Sequence, residues 1–95
     1  MIAVLRRFWL RFNIAPGELG LYSSYSGLGY GCGVTAYSLD DVRQVLNQVL
    51  FRGDPIPEIE EVIEDVDVRQ LDQGHVIPNM GSPHERGVWF PRMRP

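Results

Sequence analysis

The sequence predicts a small α+β domain: three or four mainly antiparallel strands with one principal helix packed across a face. Three observations carry this. Residues 39–50 repeat apolar side chains at helical spacing, behind an N-cap serine and ahead of a glycine and a proline. Residues 2–12 alternate at period two and are rich in aromatics, as strands are. The segments flanking the helix are rich in β-branched residues, which suit a pleated surface.

The first strand places Ile2, Val4, Phe8, Leu10 and Phe12 on one face and Arg7, Trp9 and Arg11 on the other. A helical reading through Leu5, Phe8, Trp9 and Phe12 competes with it. The arginines suit pairing with acidic residues elsewhere, or a cation–π contact over Trp9. Residues 13–32 read as a loop rich in glycine, serine and tyrosine, with a turn at Pro16-Gly17. A loop of this length is uncommon in a small domain and often has a functional role.

GVTAY, residues 33–37, is a short β-prone run. Ser38 then caps a helix, with Asp41 three residues on in a capping-box-like arrangement and Asp40 and Asp41 in the favoured first turn. Leu39, Val42, Val45, Leu46, Val49 and Leu50 form its apolar stripe, and Arg43, Gln44, Asn47 and Gln48 its wet face. Gly53 fits the position just past the helix end, and Pro55 stops continuation.

Residues 56–68 fit two periods. Ile59, Val62, Ile63 and Val66 suit a helix, whereas Val62, Glu64, Val66 and Val68 suit a strand after a slip near Glu60. The strand is preferred because every apolar residue here except the prolines is β-branched, and because a helix after a strand usually leads back to the sheet. Gly33 to Val68 is then a strand–helix–strand half of the ferredoxin-like kind, right-handed if its strands are parallel. Asp67 begins one tight helical turn. Residues 73–87 carry turn chemistry, Val88-Trp89-Phe90 is a final strand stopped by Pro91, and residues 91–95 are a loose tail.

Ninety-five residues with 44% hydrophobic content make a single domain, residues 1–95, with a modest core. Disorder needs lower hydrophobicity and higher net charge. A net charge of −3 argues against general nucleic-acid binding. Cys32 is alone, so no intramolecular disulfide staples the chain. Arginines interrupt the N-terminal apolar run, and no stretch approaches the ~20 apolar residues of a membrane span. The expectation is a soluble cytoplasmic protein that binds neither membrane nor nucleic acid. Nine arginines and no lysine reflect either a GC-rich coding sequence or selection for bidentate pairing with carboxylates.

Catalytic and cofactor signatures are missing from the sequence. Gly27, Gly29, Gly31 and Gly33 alternate, but they precede a strand and lack the spacing of a phosphate loop. Their plain role is a flexible loop, or a strand entrance where another backbone passes close. Cys32, His75, His84 and Asp72 are the only ingredients for a cysteine nucleophile, and Cys32, His75 and His84 are one ligand short of a zinc site. The serines have no nucleophile elbow, and the acidic segment lacks the central glycine of a calcium loop.

Charge, by contrast, is sharply segregated. Eight of twelve acids fall between Asp54 and Asp72, with Arg69 the one base among them. The turn-rich stretch from Leu71 to Gly81 adds a dense set of specific side chains. Together these predict a non-enzymatic protein-binding module without cofactor or metal. It would dock on a basic partner surface as toxin-neutralising (immunity) or defence-blocking inhibitors do. The contact residues would be Glu58, Glu60, Glu61, Glu64, Asp65, Asp67, Asp72, His75 and Asn79. Two alternatives compete: a homodimeric or adaptor subunit joined through an exposed strand edge, and a small enzyme or ligand binder using Cys32 and His75.

Overall fold

A computed structural model describes residues 4–14 and 28–91. Most of the glycine-rich loop (15–27) and the C-terminal tail beyond Pro91 lie outside the described residues, as does Ile2 of the first strand's predicted face. Four strands form one antiparallel sheet: β1 (Arg6–Asn13), β2 (Cys32–Ala36), β3 (Glu58–Glu64) and β4 (Gly87–Phe90), in the order β3-β1-β2-β4. A helix, α1, runs over Leu39–Val45 and continues as a π-helical segment over Leu46–Phe51. The small α+β fold predicted from sequence is therefore the fold of the chain. Strands β2 and β3 run parallel but are separated by β1, so the β2–α1–β3 unit is a split strand–helix–strand.

Both faces of the sheet are covered. On the helix face, Phe8, Leu10, Cys32, Val34 and Ala36 pack with Val42, Val45, Leu46, Leu50 and Phe51. On the opposite face, Trp9, Val66, Val76, Trp89 and Phe90 form a second apolar cluster, flanked by Val68, Leu71 and Met80. The turn-rich segment supplies this second layer. Asp65 adopts a left-handed conformation (φ 55°) that aspartate tolerates better than most residues, and it ends β3. The chain then crosses beneath the sheet. The Val66 N–H donates to the Arg7 carbonyl at 3.3 Å, and Arg7 Nε donates to the Val66 carbonyl at 3.1 Å.

Two bulges decide which side chains reach which face. Arg11 pairs with Glu61 but Phe12 pairs with Ile59, so Glu60 is an extra residue in β3. Without it, Ile59 and Val62, three residues apart, would point to opposite faces; with it, both pack on the helix side. This is the slip near Glu60 that the sequence implies, but Val66 and Val68, expected on the Val62 face of the strand, follow the end of β3 and pack in the second cluster instead. In β4, Gly33 pairs with Phe90 and Val34 with Val88, leaving Trp89 as the extra residue. Trp89 and Phe90, adjacent in sequence, therefore both enter the second cluster.

The glycines at the start of β2 make room for these indoles. A Cβ on Gly33 would stand 2.5 Å from Trp89 Cε3, and one on Gly31 would stand 2.6 Å from Trp9 Cε2 and 2.9 Å from the Leu10 carbonyl oxygen. Gly31 also has φ +134°, a conformation that side chains disfavour. The expected approach by another backbone holds only for the Leu10 carbonyl at Gly31; the groups nearest to both glycines are tryptophan rings.

Several boundaries differ from expectation. Tyr37 lies outside β2, whereas Cys32 and Asn13 belong to strands rather than to the loop. The helix stripe omits Leu39 and Val49, which are 39% and 40% exposed, and gains buried Phe51. Leu39 is the first helical residue, at the end of the helix. Val49 falls in the π-helical segment, where each residue advances by less than the ~100° of an α-helix. The buried direction set by Leu46 is then met again at Leu50 and Phe51 instead of Val49. Ser38 caps the helix as expected: its Oγ accepts from the Asp41 N–H at 3.1 Å.

Candidate functional site: an acidic sheet edge

β3 is an outer strand of the sheet, and its carboxylates line that edge. Glu58, Glu60, Glu61, Glu64 and the following Asp65 are all exposed. The register sets their directions. Glu64 lies opposite Phe8 and Val62 opposite Leu10, on the helix face, while Glu61 lies opposite Arg11 and Ile63 opposite Trp9, on the other. Glu60 is the bulged residue. Ile63 is 42% exposed, the one large apolar side chain of β3 that solvent reaches so freely.

Arginines of β1 temper this edge. Arg6 binds Asp65 through two bonds, Nε at 3.1 Å and a terminal nitrogen at 2.7 Å, and reaches Glu64 at 3.2 Å. The Arg6 guanidinium, chiefly by hydrogen bonding, holds the Asp65 carboxyl below the usual carboxylate range. Arg11 makes looser pairs with Glu60 at 3.9 Å and Glu61 at 3.7 Å. The Asn13 amide donates weakly to Glu58 at 3.5 Å. Pairing of the first strand's arginines with the acidic segment thus holds for Arg11 and, unanticipated, for Arg6. A cation–π contact is found elsewhere than expected: the Arg6 guanidinium sits 5.8 Å from the Phe8 ring centre rather than over Trp9. Exposed ion pairs of this kind stabilise little, so they leave the carboxylates open to exchange partners.

The remaining predicted contact residues form a separate group in the turn-rich segment. Asp67 caps a short 3-10 turn, accepting from the Arg69 N–H at 3.0 Å, and also pairs with the Arg69 side chain at 2.9 Å. Asp72 Oδ1 accepts from the N–H groups of Gly74 and His75, both at 2.8 Å, which hold its carboxyl below the usual range. Asn79 donates to the His75 carbonyl at 2.8 Å. The His75 ring lies 3.2 Å from Asp72 Oδ1 and stacks on Tyr30, with ring centres 4.8 Å apart. Among the described residues, none of these bonds joins the turn group to the β3 edge. Asp67, Asp72 and Asn79 therefore have local structural work in shaping the second layer.

Cys32 and His75 occupy unlike settings. Cys32 is fully buried in the helix-side cluster, and burial pushes its thiol far above its ordinary pKa. A reactive thiolate needs the reverse, a lowered pKa and access. His75 is exposed on the turn segment. Among the described residues, no three His, Cys, Asp or Glu side chains gather to hold a metal ion. No helix among them is long and apolar enough to cross a membrane.

One ion pair that sequence reasoning missed joins distant parts of the fold. Arg86, just before β4, binds Asp41 at the helix N-terminus through Nε at 3.0 Å and a terminal nitrogen at 2.5 Å, and Asp41 also accepts from the Tyr37 N–H at 3.0 Å. The Arg86 hydrogen bonds, then the Tyr37 N–H, lower the Asp41 pKa. A carboxyl depressed in the folded state contributes stability above its unfolded pKa, near ~3.9, and loses it as pH falls through the lower folded value. Asp41→Asn should therefore flatten the acid limb of stability below about pH 4. Urea unfolding at stepped pH checks this; an unchanged acid limb would mean that the Arg86–Asp41 pair does not contribute to acid stability. The carboxylate side chain is mostly buried, which makes it a better test than the exposed pairs of β3.

Comparison with family models, with curated proteins and with solved structures yields no match to this chain.

Proposed function

We propose that the protein is a non-enzymatic binding module that docks on a basic protein surface through the acidic β3 edge, as an immunity protein or a defence-blocking inhibitor does. The observation that carries this reading is the concentration of five exposed carboxylates on an outer strand and the residue after it, Glu58 to Asp65, tempered among the described residues by ion pairs with Arg6 and Arg11. The edge keeps an acidic excess, and such a field speeds encounter with a basic surface. Asp67, Asp72 and Asn79 are occupied in turns, so recognition rests on the strand rather than on all nine predicted residues. The homodimer alternative is weakened by the same edge: β3 set against a second β3 would bring glutamates together, and like charges across strands repel. Buried Cys32 gives no support to a thiol-based activity.

The best residues for a test are Glu58, Glu60 and Glu61, whose partners are weak. Changing Glu64 or Asp65 would also strand Arg6 and mix folding with binding. The chain is used at low salt to capture its partner from the native host. Association rates are then compared with those of a Glu58→Gln, Glu60→Gln, Glu61→Gln variant at two ionic strengths. The expected result is a basic partner and association slowed about tenfold at low salt, with the difference shrinking as salt screens the charges. Wild-type rates from a folded variant, checked by circular dichroism, would end the acidic-docking reading.

A further inference from the structure

We propose that β3 receives an extended segment of its partner as a fifth strand, and that this segment reads basic–apolar–apolar–basic opposite Glu61-Val62-Ile63-Glu64. This rests on the acidic-docking reading above and specifies how the partner engages the edge.

Three features point the same way. First, β1 pairs with one side of β3, and no strand among the described residues pairs with the other. The outer N–H and C=O groups of such an edge form a template for strand addition. The opposite edge of the sheet is different, because the Gly81 N–H donates to the Trp89 carbonyl at 2.7 Å and so engages β4. Second, the bulge is confined to Glu60, and Glu61 to Glu64 keep a regular ladder with Arg11 to Phe8. A stretch of four regular residues is thus left for an incoming strand. Third, side chains within this stretch alternate in a way that specifies the occupant. Glu61 and Ile63 project on one face, and Val62 and Glu64 on the other. A neighbouring strand would bring its two central side chains beside half-buried Val62 and 42% exposed Ile63, and its outer two beside the glutamates.

Charge and bulge on an edge usually guard against pairing. Here the guard is selective: it repels a second acidic edge but attracts a basic strand. The acidic–apolar–apolar–acidic order is the same in both directions, so the charges allow parallel or antiparallel entry. Apolar central residues separate this mode from simple electrostatic docking, which would need only positive charge.

The test uses a blocked synthetic peptide with Arg-Val-Ile-Arg at its centre, and two versions N-methylated at alternate residues in the two possible phases. Binding to the full chain is followed by amide chemical shifts and hydrogen exchange. The expected result is saturable binding with new protection confined to amides of β3, and loss of at least about tenfold in affinity for one methylated phase only, because an added strand bonds through alternate residues. Equal binding of all three peptides, abolished by Glu58→Gln, Glu60→Gln, Glu61→Gln, would overturn strand addition while leaving acidic docking intact. Absence of binding by the unmethylated peptide overturns this inference, and the partner-capture experiment then judges the broader reading by itself. Concentration-dependent self-association that protects the same β3 amides would also overturn it, since a second copy would then be the occupant.

Discussion

Trp89→Ala should destabilise the domain by about 3–5 kcal/mol, the range for removing a buried large aromatic side chain. Trp89 is 1% exposed and lies at the centre of the second cluster, with its ring tilted against Trp9 at 5.8 Å between centres. The Trp89 ring fills the space above Gly33. A methyl group there must displace a buried indole, so Gly33→Ala should itself cost about 1–3 kcal/mol through overpacking. In a Trp89→Ala background the ring is gone and the added methyl has space. The two changes should therefore couple by about 1 kcal/mol or more, in the sense that the second does less harm than it does alone. Urea unfolding of the four proteins in the cycle measures this. Equal cost of Gly33→Ala in both backgrounds would mean that the glycine is not required by the indole. Trp89→Phe adds a control: Trp89 Nε1 is buried without a hydrogen-bond partner among the described residues, so phenylalanine removes an unmet donor along with ring volume. It should cost much less than alanine.

The second large effect belongs to the helix face. Leu46 is wholly buried in the main cluster, and Leu46→Ala should cost about 2–4 kcal/mol, a large part of the stability of a domain this size. Val49→Ala is the informative comparison. An α-helical stripe would bury both positions, but the π-helical segment leaves Val49 40% exposed, so its truncation should cost less than about 1 kcal/mol. Comparable losses from the two variants would show that the helix keeps its α-helical pitch through residue 49.

Much of the frame was legible because it rests on local chemistry. The Ser38 cap, the Val42–Val45–Leu46–Leu50 stripe and the stop at Gly53-Pro55 are decided within a turn or two of chain. The same holds for the turn begun by Asp67. β-Branched composition correctly placed β3 despite its mixed period. The candidate edge was half legible. Sequence shows the acidic run, but not that Glu58 to Asp65 line an outer strand while Asp67 and Asp72 accept from nearby backbone N–H groups in turns. Both groups look alike in one dimension, because carboxylates serve equally as caps and as solvent-facing charges.

What the sequence by itself determined is the four strands and the helix, their order, and most of the helix's buried stripe, since period and capping are properties of neighbouring residues. What only the tertiary structure decided is everything that depends on pairing between distant strands. Strand order put β3 at an edge. The bulges at Glu60 and Trp89 turned side chains to new faces, so Trp89 and Phe90 could share one cluster and Ile59 could join Val62. Residues 66–80 became the second layer, and Arg86 found Asp41 across forty-five positions of sequence. No local signal encodes these outcomes: a bulge costs one unpaired residue wherever it forms, and the burial it secures for the side chains on either side of it, against distant elements, fixes where that is.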